Sequence, residues 1–252
     1  MDILGIDIGG TGIKGAPVNI STGKLRAERL RVLTPRPATP VKVAKAVKTI
    51  ARHFNWRGAI GVGFPGIVQH GKVITAANLH KAWVGESAQA LFHKATGAAV
   101  QVVNDADAAG LAEMRFGAGR RRKGKVLLLT FGTGIGSALF IDGKLVSNTE
   151  FGHVQIRGKA AERRASDAIR TKKKLGWKKW ARRVQEYLNH MVLLLSPDLI
   201  IIGGGAAKDY QKFAKYIELP VEMIPAQNGN LAGIVGAALA GQNVSKKTRA
   251  KK

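Results

Sequence analysis

The chain opens with DILGIDIGGTGIKGAPVN, a stretch whose residue types and spacing suit work on phosphate. Asp7 closes an apolar run, Gly9, Gly10 and Thr11 follow, and Lys14 comes three residues after the threonine. A carboxylate for Mg²⁺, bare backbone N–H groups, a hydroxyl and an ammonium are what a phosphate–metal site requires. A plain hairpin accounts for the glycines as well, because glycine accepts the positive φ of a tight turn. Lys14 equally suits a solvated strand position. A second tip of this kind is Gly132-Thr133-Gly134, and the apolar run PDLIIIGGG ends in Gly203, Gly204 and Gly205. Strands ending in glycines are the usual place where a nucleotide or phosphate meets a sheet. The run AAVQVVN ends in Asn104-Asp105, a position for a rigid carboxylate that takes up a proton or for the cap of the helix that follows. Asp107, inside the first turn of that helix, suits the helix dipole.

These groups need rigid supports, and the hydrophobic pattern supplies them. Residues 3–8, 12–18 and 24–33 read as three strands joined by glycine-rich turns. Val41, Ala44, Val47, Ile50, Ala51 and Phe54 recur at helical spacing. GAIGVGFPG reads as a buried strand running into a turn, GKVITAANL as a further strand, and residues 86–96 as a helix. A helix also follows Asn104, through about Phe116. The second half restarts the same order in KVLLLTFGTGIGSALFIDGKLV, a weak internal repeat that implies two related α/β lobes. Residues 177–195 carry a strong amphipathic stripe, and the last periodic helix is 231–240. The expected division is 1–103, completed by a C-terminal helix at 231–241, then 104–230, then a basic flexible tail at 242–252.

Composition narrows the function classes. The 252 residues contain no cysteine, which excludes disulfides and thiolate metal sites. No signal peptide and no bilayer-length apolar run is present, so the expectation is a cytoplasmic protein with no membrane partner. Forty-one Lys and Arg against 16 Asp and Glu give a net charge of +25, a field that recruits polyanions. The excess is clustered in RFGAGRRRKGK, RTKKKLGWKKWARR and the terminal SKKTRAKK. Each run alone reads as a solvated face.

DIGGTGIK, GFPG, NDADAA, TFGTGIGSALF, EFGH and IIIGGG occur in that order. Together they resemble the ROK sugar kinases, and TAANLHKAW, EFGHVQIRGKAAERRAS and SPDLIIIGGG resemble the polyphosphate glucokinase branch of that family. The resemblance implies a two-lobed α/β fold of the actin/hexokinase-like (ribonuclease H-like) type with a central cleft. It implies transfer of a phosphoryl group to glucose O6 from inorganic polyphosphate, or from ATP in an ordinary family hexokinase. Asp105 would be the catalytic base. Asn78, Asn104, Glu150, His153 and Glu162 would bind the sugar, with backbone near Gly66. The hairpins at Gly9, Gly10 and Thr11 and at Gly132, Thr133 and Gly134 would bind phosphate with Lys14. Gly203, Gly204 and Gly205 would floor the donor site, and Asp7 would hold Mg²⁺ through water. EFGH is followed by only eight residues before Glu162, so the cysteine-rich zinc loop of many relatives is missing and no zinc is expected. Glu162 also reads as an ordinary exposed helix glutamate. The basic runs at 120–125 and 172–179 are the expected polyphosphate track. A nucleic-acid-binding ROK repressor is disfavoured, because the hairpin begins at Asp2 and leaves no room for a winged-helix domain. A homodimer is expected, with residues 177–195 as a surface for it.

Overall fold

The computed structural model describes residues 1–76 and 79–249. In chain order its elements are β1 (Asp2–Ile8), β2 (Gly12–Asn19), β3 (Leu30–Leu33), α1 (Pro40–His53), β4 (Ile60–Phe64), β5 (Val68–Gln69), β6 (Lys72–Val73), α2 (Ala88–Thr96), β7 (Val100–Asn104), α3 (Asp105–Phe116), β8 (Lys125–Phe131), β9 (Ile135–Ile141), β10 (Lys144–Val146), β11 (Gln155–Ile156), β12 (Lys159–Ala160), α4 (Glu162–Ala165), α5 (Asp167–Lys172), α6 (Trp177–Leu195), β13 (Leu199–Gly204), α7 (Tyr210–Ala214), β14 (Glu222–Pro225) and α8 (Ala232–Arg249). They divide into two units, Met1–Ala112 with Leu231–Lys252, and Glu113–Asn230.

In the first unit the sheet order is β3-β2-β1-β4-β7. β1, β2 and β3 pair antiparallel, while β1, β4 and β7 run parallel. The period of two along β1 sorts its side chains. Leu4, Ile6 and Ile8 join the core with Val43, Val47 and Ile50 of α1. The alternate residues Ile3, Gly5 and Asp7 meet Gly241, Ile234 and Gly233 of α8. The approach of α8 is so close that a Cβ on Gly5 or Gly61 would sit inside the carbonyl of Ile234 or Ala237. Glycine there is a packing requirement, and it brings the first turn of α8 against Asp7.

The second unit repeats the arrangement, with sheet order β10-β9-β8-β13-β14. Here too two antiparallel pairings are followed by two parallel ones. The apolar stripe of α6, formed by Trp180, Val184, Tyr187, Leu188 and Met191, packs on Leu127, Leu129 and Phe131 of β8 and on Ile200 and Ile202 of β13.

Several boundaries differ from the sequence expectation. The third strand is continuous only over Leu30–Leu33: Leu25 makes an isolated antiparallel bridge to Val18, and the charged stretch from Arg26 to Arg29 between them is exposed with no apolar face to bury. The strand expected in GKVITAANL is the two-residue β6, paired with β5; its Ala77 and Asn78 lie outside the described residues. The helix expected from Glu86 begins at Ala88, where Ser87 accepts the Ala90 N–H at 3.4 Å. β14 was not expected at all: it is short, ends in Pro225 and carries no apolar alternation. The division between units falls within α3, after Ala112, and not before Asn104. α8 continues past Gly241 to Arg249, where a tail was expected; no glycine or proline follows Gly241 within it to end the helix.

Candidate active site

In the first unit Asp7 and Lys14 face each other across the β1–β2 ladder, Lys14 Nζ lying 4.0 Å from Asp7 Oδ2. Burial pushes the Asp7 carboxyl up from its ordinary range, and the Lys14 charge opposes that shift. The turn between them closes with Gly9 N–H donating to the Gly12 carbonyl at 3.1 Å. Neither Gly9 nor Gly10 adopts a positive φ, contrary to the expectation from turn chemistry. What the glycines leave is space: no atom lies within 4 Å of a Cβ built on Gly10. Thr11 is exposed beside it. Thr34 braces the turn, its hydroxyl donating to the Gly9 carbonyl at 2.6 Å.

β7 delivers the next two groups. Asn104 is buried, and its Oδ1 accepts the N–H groups of Ala106 at 2.8 Å and Asp107 at 3.1 Å. Its Nδ2 donates to the Gly66 carbonyl at 3.2 Å. Asn104 is therefore the cap of α3 and ties it to the Gly66 turn. Asp105, half-buried, accepts the Ala106 N–H at 2.8 Å through Oδ1. A single carboxylate with a phosphate-accessible turn beside it suits Mg²⁺, which keeps most of its waters and takes one or two protein carboxylates plus phosphate oxygens. Asp7 fits that role by chemistry and position.

In the second unit the matching turn is Gly132-Thr133-Gly134, with Gly132 N–H donating to the Gly134 carbonyl at 3.0 Å. A Cβ on Gly132 would also meet nothing within 4 Å, and Thr133 is exposed. The Gly132 carbonyl accepts the Ala168 N–H at 3.0 Å, which fixes the start of α5 on the turn. Gly203 and Gly204 pair with Thr130 and Phe131 at the end of β8. Gly204 has φ 75°, and a side chain there would strike the Phe131 backbone. Asp167 approaches Gly205 from α5.

Three sequence-selected groups converge in this unit. His153 Nε2 lies 3.8 Å from Glu150 Oε2, and His153 Nδ1 lies 3.9 Å from Glu162 Oε1. Glu162 Oε2 also accepts the Ile135 N–H at 3.4 Å, next to Gly134. It is thus no ordinary exposed helix glutamate. Burial raises the Glu150 carboxyl, His153 pulls it down and Glu162 pushes it up. Among the described residues no three or more His, Asp or Glu side chains gather as a metal cluster. Ser137 holds the Glu150 loop from both sides, donating to the Thr149 carbonyl at 2.8 Å and accepting the Phe151 N–H at 3.0 Å. Neither Thr34 nor Ser137 stood out in the sequence, since each acts on a residue distant along the chain, and Ser137 lies inside TFGTGIGSALF where the glycines carry the pattern.

The basic runs separate. Arg120, Arg121 and Arg122 precede β8, and Arg122 pairs with Glu222 at 2.9 Å. Gly132 follows the other end of that strand. Lys172, Lys173 and Lys174 are exposed at the end of α5, the helix whose start touches Gly132.

The ROK family model matches residues 3–174. The chain belongs to the ROK family. It is 48% identical over 238 residues to the polyphosphate glucokinase of Mycobacterium tuberculosis, covering 94% of this chain and 90% of that one. Among solved structures, the inorganic polyphosphate/ATP-glucomannokinase of Arthrobacter sp. strain KM superposes with a TM-score of 0.91 at 47% identity, over 96% of this chain and 98% of that chain. The ROK family glucokinase of Streptomyces griseus matches in fold, with a TM-score of 0.83 at 24% identity, covering 96% of this chain and 100% of that chain. The fold is accordingly the α/β fold of ROK sugar kinases, of the actin/hexokinase-like type.

Proposed function

We propose that this chain phosphorylates glucose at O6 with inorganic polyphosphate as donor. The observation that carries the reading is the near full-length identity to a polyphosphate glucokinase. The sites described above support it: a carboxylate at the end of a buried strand, two open glycine turns and a His–Glu cluster.

Phosphoryl transfer asks for positioning and charge stabilisation more than for covalent chemistry. In this reading Asp105 accepts the proton of the glucose 6-hydroxyl as its oxygen attacks the terminal phosphorus, while the bond from that phosphorus to the bridging oxygen breaks and a polyphosphate one phosphate shorter leaves. The buried Asn104 sets the angle of the strand end and, with the Gly66 backbone, Asn78, Glu150, His153 and Glu162, satisfies sugar hydroxyls. Each hydroxyl left unpaired in such a site would cost about 1–3 kcal/mol. The N–H groups of the Gly9–Thr11 and Gly132–Gly134 turns, the two threonine hydroxyls and Lys14 hold phosphate oxygens. Mg²⁺, held through water by Asp7, would supply neutralisation of the phosphate charge.

A second donor is part of the proposal, because the Arthrobacter relative is an inorganic polyphosphate/ATP-glucomannokinase. The Gly203–Gly205 floor is present to accept a nucleotide. Homodimer formation is proposed through α6, whose Leu193 and Leu194 are 80% and 62% exposed; sedimentation velocity tests it. Among the described residues no helix is long and apolar enough to cross a membrane, which is compatible with a cytoplasmic enzyme.

The deciding experiment measures glucose 6-phosphate formation with ATP, GTP and polyphosphates of several lengths. Polyphosphate should give the highest kcat/KM. A rate confined to nucleotide triphosphates would replace this reading with an ATP-dependent hexokinase.

A further inference from the structure

Glu162 stands on a segment that cannot hold itself. β11 and β12 are two residues each, and α4 spans only Glu162–Ala165. Helices this short are unstable on their own in water, and an isolated two-residue ladder adds little. Yet Glu162 Oε2 meets the Ile135 N–H and its Oε1 faces His153, so the segment is placed with care.

The support comes from α6. Glu186 receives two arginines from the two ends of this segment. Arg157, in the β11–β12 turn with φ 50°, donates from Nε to Oε1 at 2.5 Å. Arg164, within α4, donates from Nη2 to Oε2 at 2.7 Å. Each carboxylate oxygen therefore has its own guanidinium, and both bonds are charge-assisted, the stronger class of hydrogen bond. The pair between Arg164 and Glu186 is largely shielded, each side chain being 23% exposed, so water screens it less than an ordinary surface ion pair. Two neighbours on α6 complete the attachment: Arg183 donates to the Arg164 carbonyl at 3.2 Å, and Trp180 Nε1 to the Ala165 carbonyl at 3.0 Å. Those two bonds fix the end of α4. Ile156, Ala161 and Ala165 add apolar packing in the same core cluster as α6; among the described side-chain hydrogen bonds, the Glu186 bracket is the one that spans both sides of Glu162.

We infer that Glu186 is a positioning residue for the sugar site, clamping residues 157–164 through Arg157 and Arg164 so that Glu162 is held where it meets His153 and Ile135. The inference rests on the proposed role of Glu162 in sugar binding. It makes Glu186 a determinant of sugar affinity without contact to sugar or donor. The Arg157 arm is exposed and the Arg164 arm is not, so Arg164 carries the larger share.

Two measurements on the full chain test it. Hydrogen exchange reads the clamp directly: Glu186→Ala and the isosteric Glu186→Gln should speed exchange across residues 157–165 while the β8 and β13 amides stay as slow as in the wild type. Steady-state kinetics read the consequence: either variant should raise the glucose KM about tenfold and leave the polyphosphate KM within twofold, with Glu186→Asp partly restoring it. In a Glu162→Gln background, Glu186→Gln should add less than twofold, because residues acting through one another are not additive. Unchanged exchange in 157–165 overturns the clamp whatever the kinetics show. Multiplying effects in the double variant, or an equal rise in donor KM, overturn the route through Glu162. A Glu162→Gln variant with wild-type glucose KM would instead refute the sugar reading itself, while exchange still reports on the clamp.

Discussion

Asn104 and Asp105 are adjacent and do different work. Asn104 takes the N–H groups of Ala106 and Asp107, so the start of α3 is capped without relying on Asp105 alone. Asp105→Asn keeps shape and hydrogen bonding but removes the proposed base, and loss of a general base typically lowers rate about 10²–10⁴-fold. Turnover should fall by that order while glucose Kd, measured by calorimetry, stays within a few-fold. More than a tenth of wild-type turnover would sink the assignment. Asp7 yields a pH prediction. Its carboxyl is raised by burial and lowered by Lys14, and in the proposed role it must be ionised to hold Mg²⁺. Lys14→Met removes the opposing charge, so Asp7 should keep its proton to higher pH. The acid limb of the kcat/KM profile should move upward, and an unmoved limb would show that Asp7 does not limit the rate. The linkage sign agrees: a carboxyl that binds its proton more tightly folded than unfolded loses stability as pH rises above its ordinary 3.8 toward the raised value. Asp7, Asn104, Asp105 and the glycine turns were legible in the sequence because motif order alone singles them out. Thr34, Ser137 and Glu186 were not, because each acts through hydrogen bonds that only the folded chain creates.

At the scale of elements, the two sheets share one strand order and one pattern of strand directions. The repeat was faint in sequence, since it survives as apolar runs and glycine tips and not as identities. The long strands and the amphipathic helices α1 and α6 were legible because burial on one face imposes a strict period. The short extents of β3 and β6 were not, and β14 was missed, because so few residues carry no period, and their pairing depends on neighbours already in place. Glycine serves two distinct purposes in these elements. Gly61 admits α8 to the sheet, whereas Gly10 leaves a turn open. Gly61→Ala overpacks against backbone that has nowhere to go, so it should cost at least about 1–3 kcal/mol, read as a lower urea midpoint. Gly10→Ala meets open space and needs no positive φ, so its urea midpoint should match wild type, with the donor KM raised several-fold as the methyl group crowds the N–H groups. A destabilised Gly10→Ala protein with wild-type donor KM would return that turn to a purely structural role.

The charge of the whole molecule, +25, exceeds what a glucose site requires, and the structure narrows where a polyphosphate would use it. Arg120–Arg122 lie roughly 20 Å from Gly132, the length of β8 at ~3.3 Å per residue, and Arg122 is already paired with Glu222. Lys172 is only about 6 Å along α5 from Ala168, whose N–H meets the Gly132 carbonyl. Of the two basic runs, Lys172–Lys174 is therefore the one nearer the Gly132–Gly134 turn. If those lysines form the track, reversing all three should weaken long polyphosphates more than short ones, which occupy only the glycine turns. Reversing Arg120 and Arg121 should leave donor length preference unchanged. Added salt should raise the long-donor KM steeply in the wild type, since each neutralised phosphate releases counterions, and less steeply in the triple variant. Glucose is uncharged, so its KM should hardly move with salt in either protein. Equal losses on short and long donors, or none, would mean that the lysines merely solvate the end of α5 and that the donor leaves the turn in another direction.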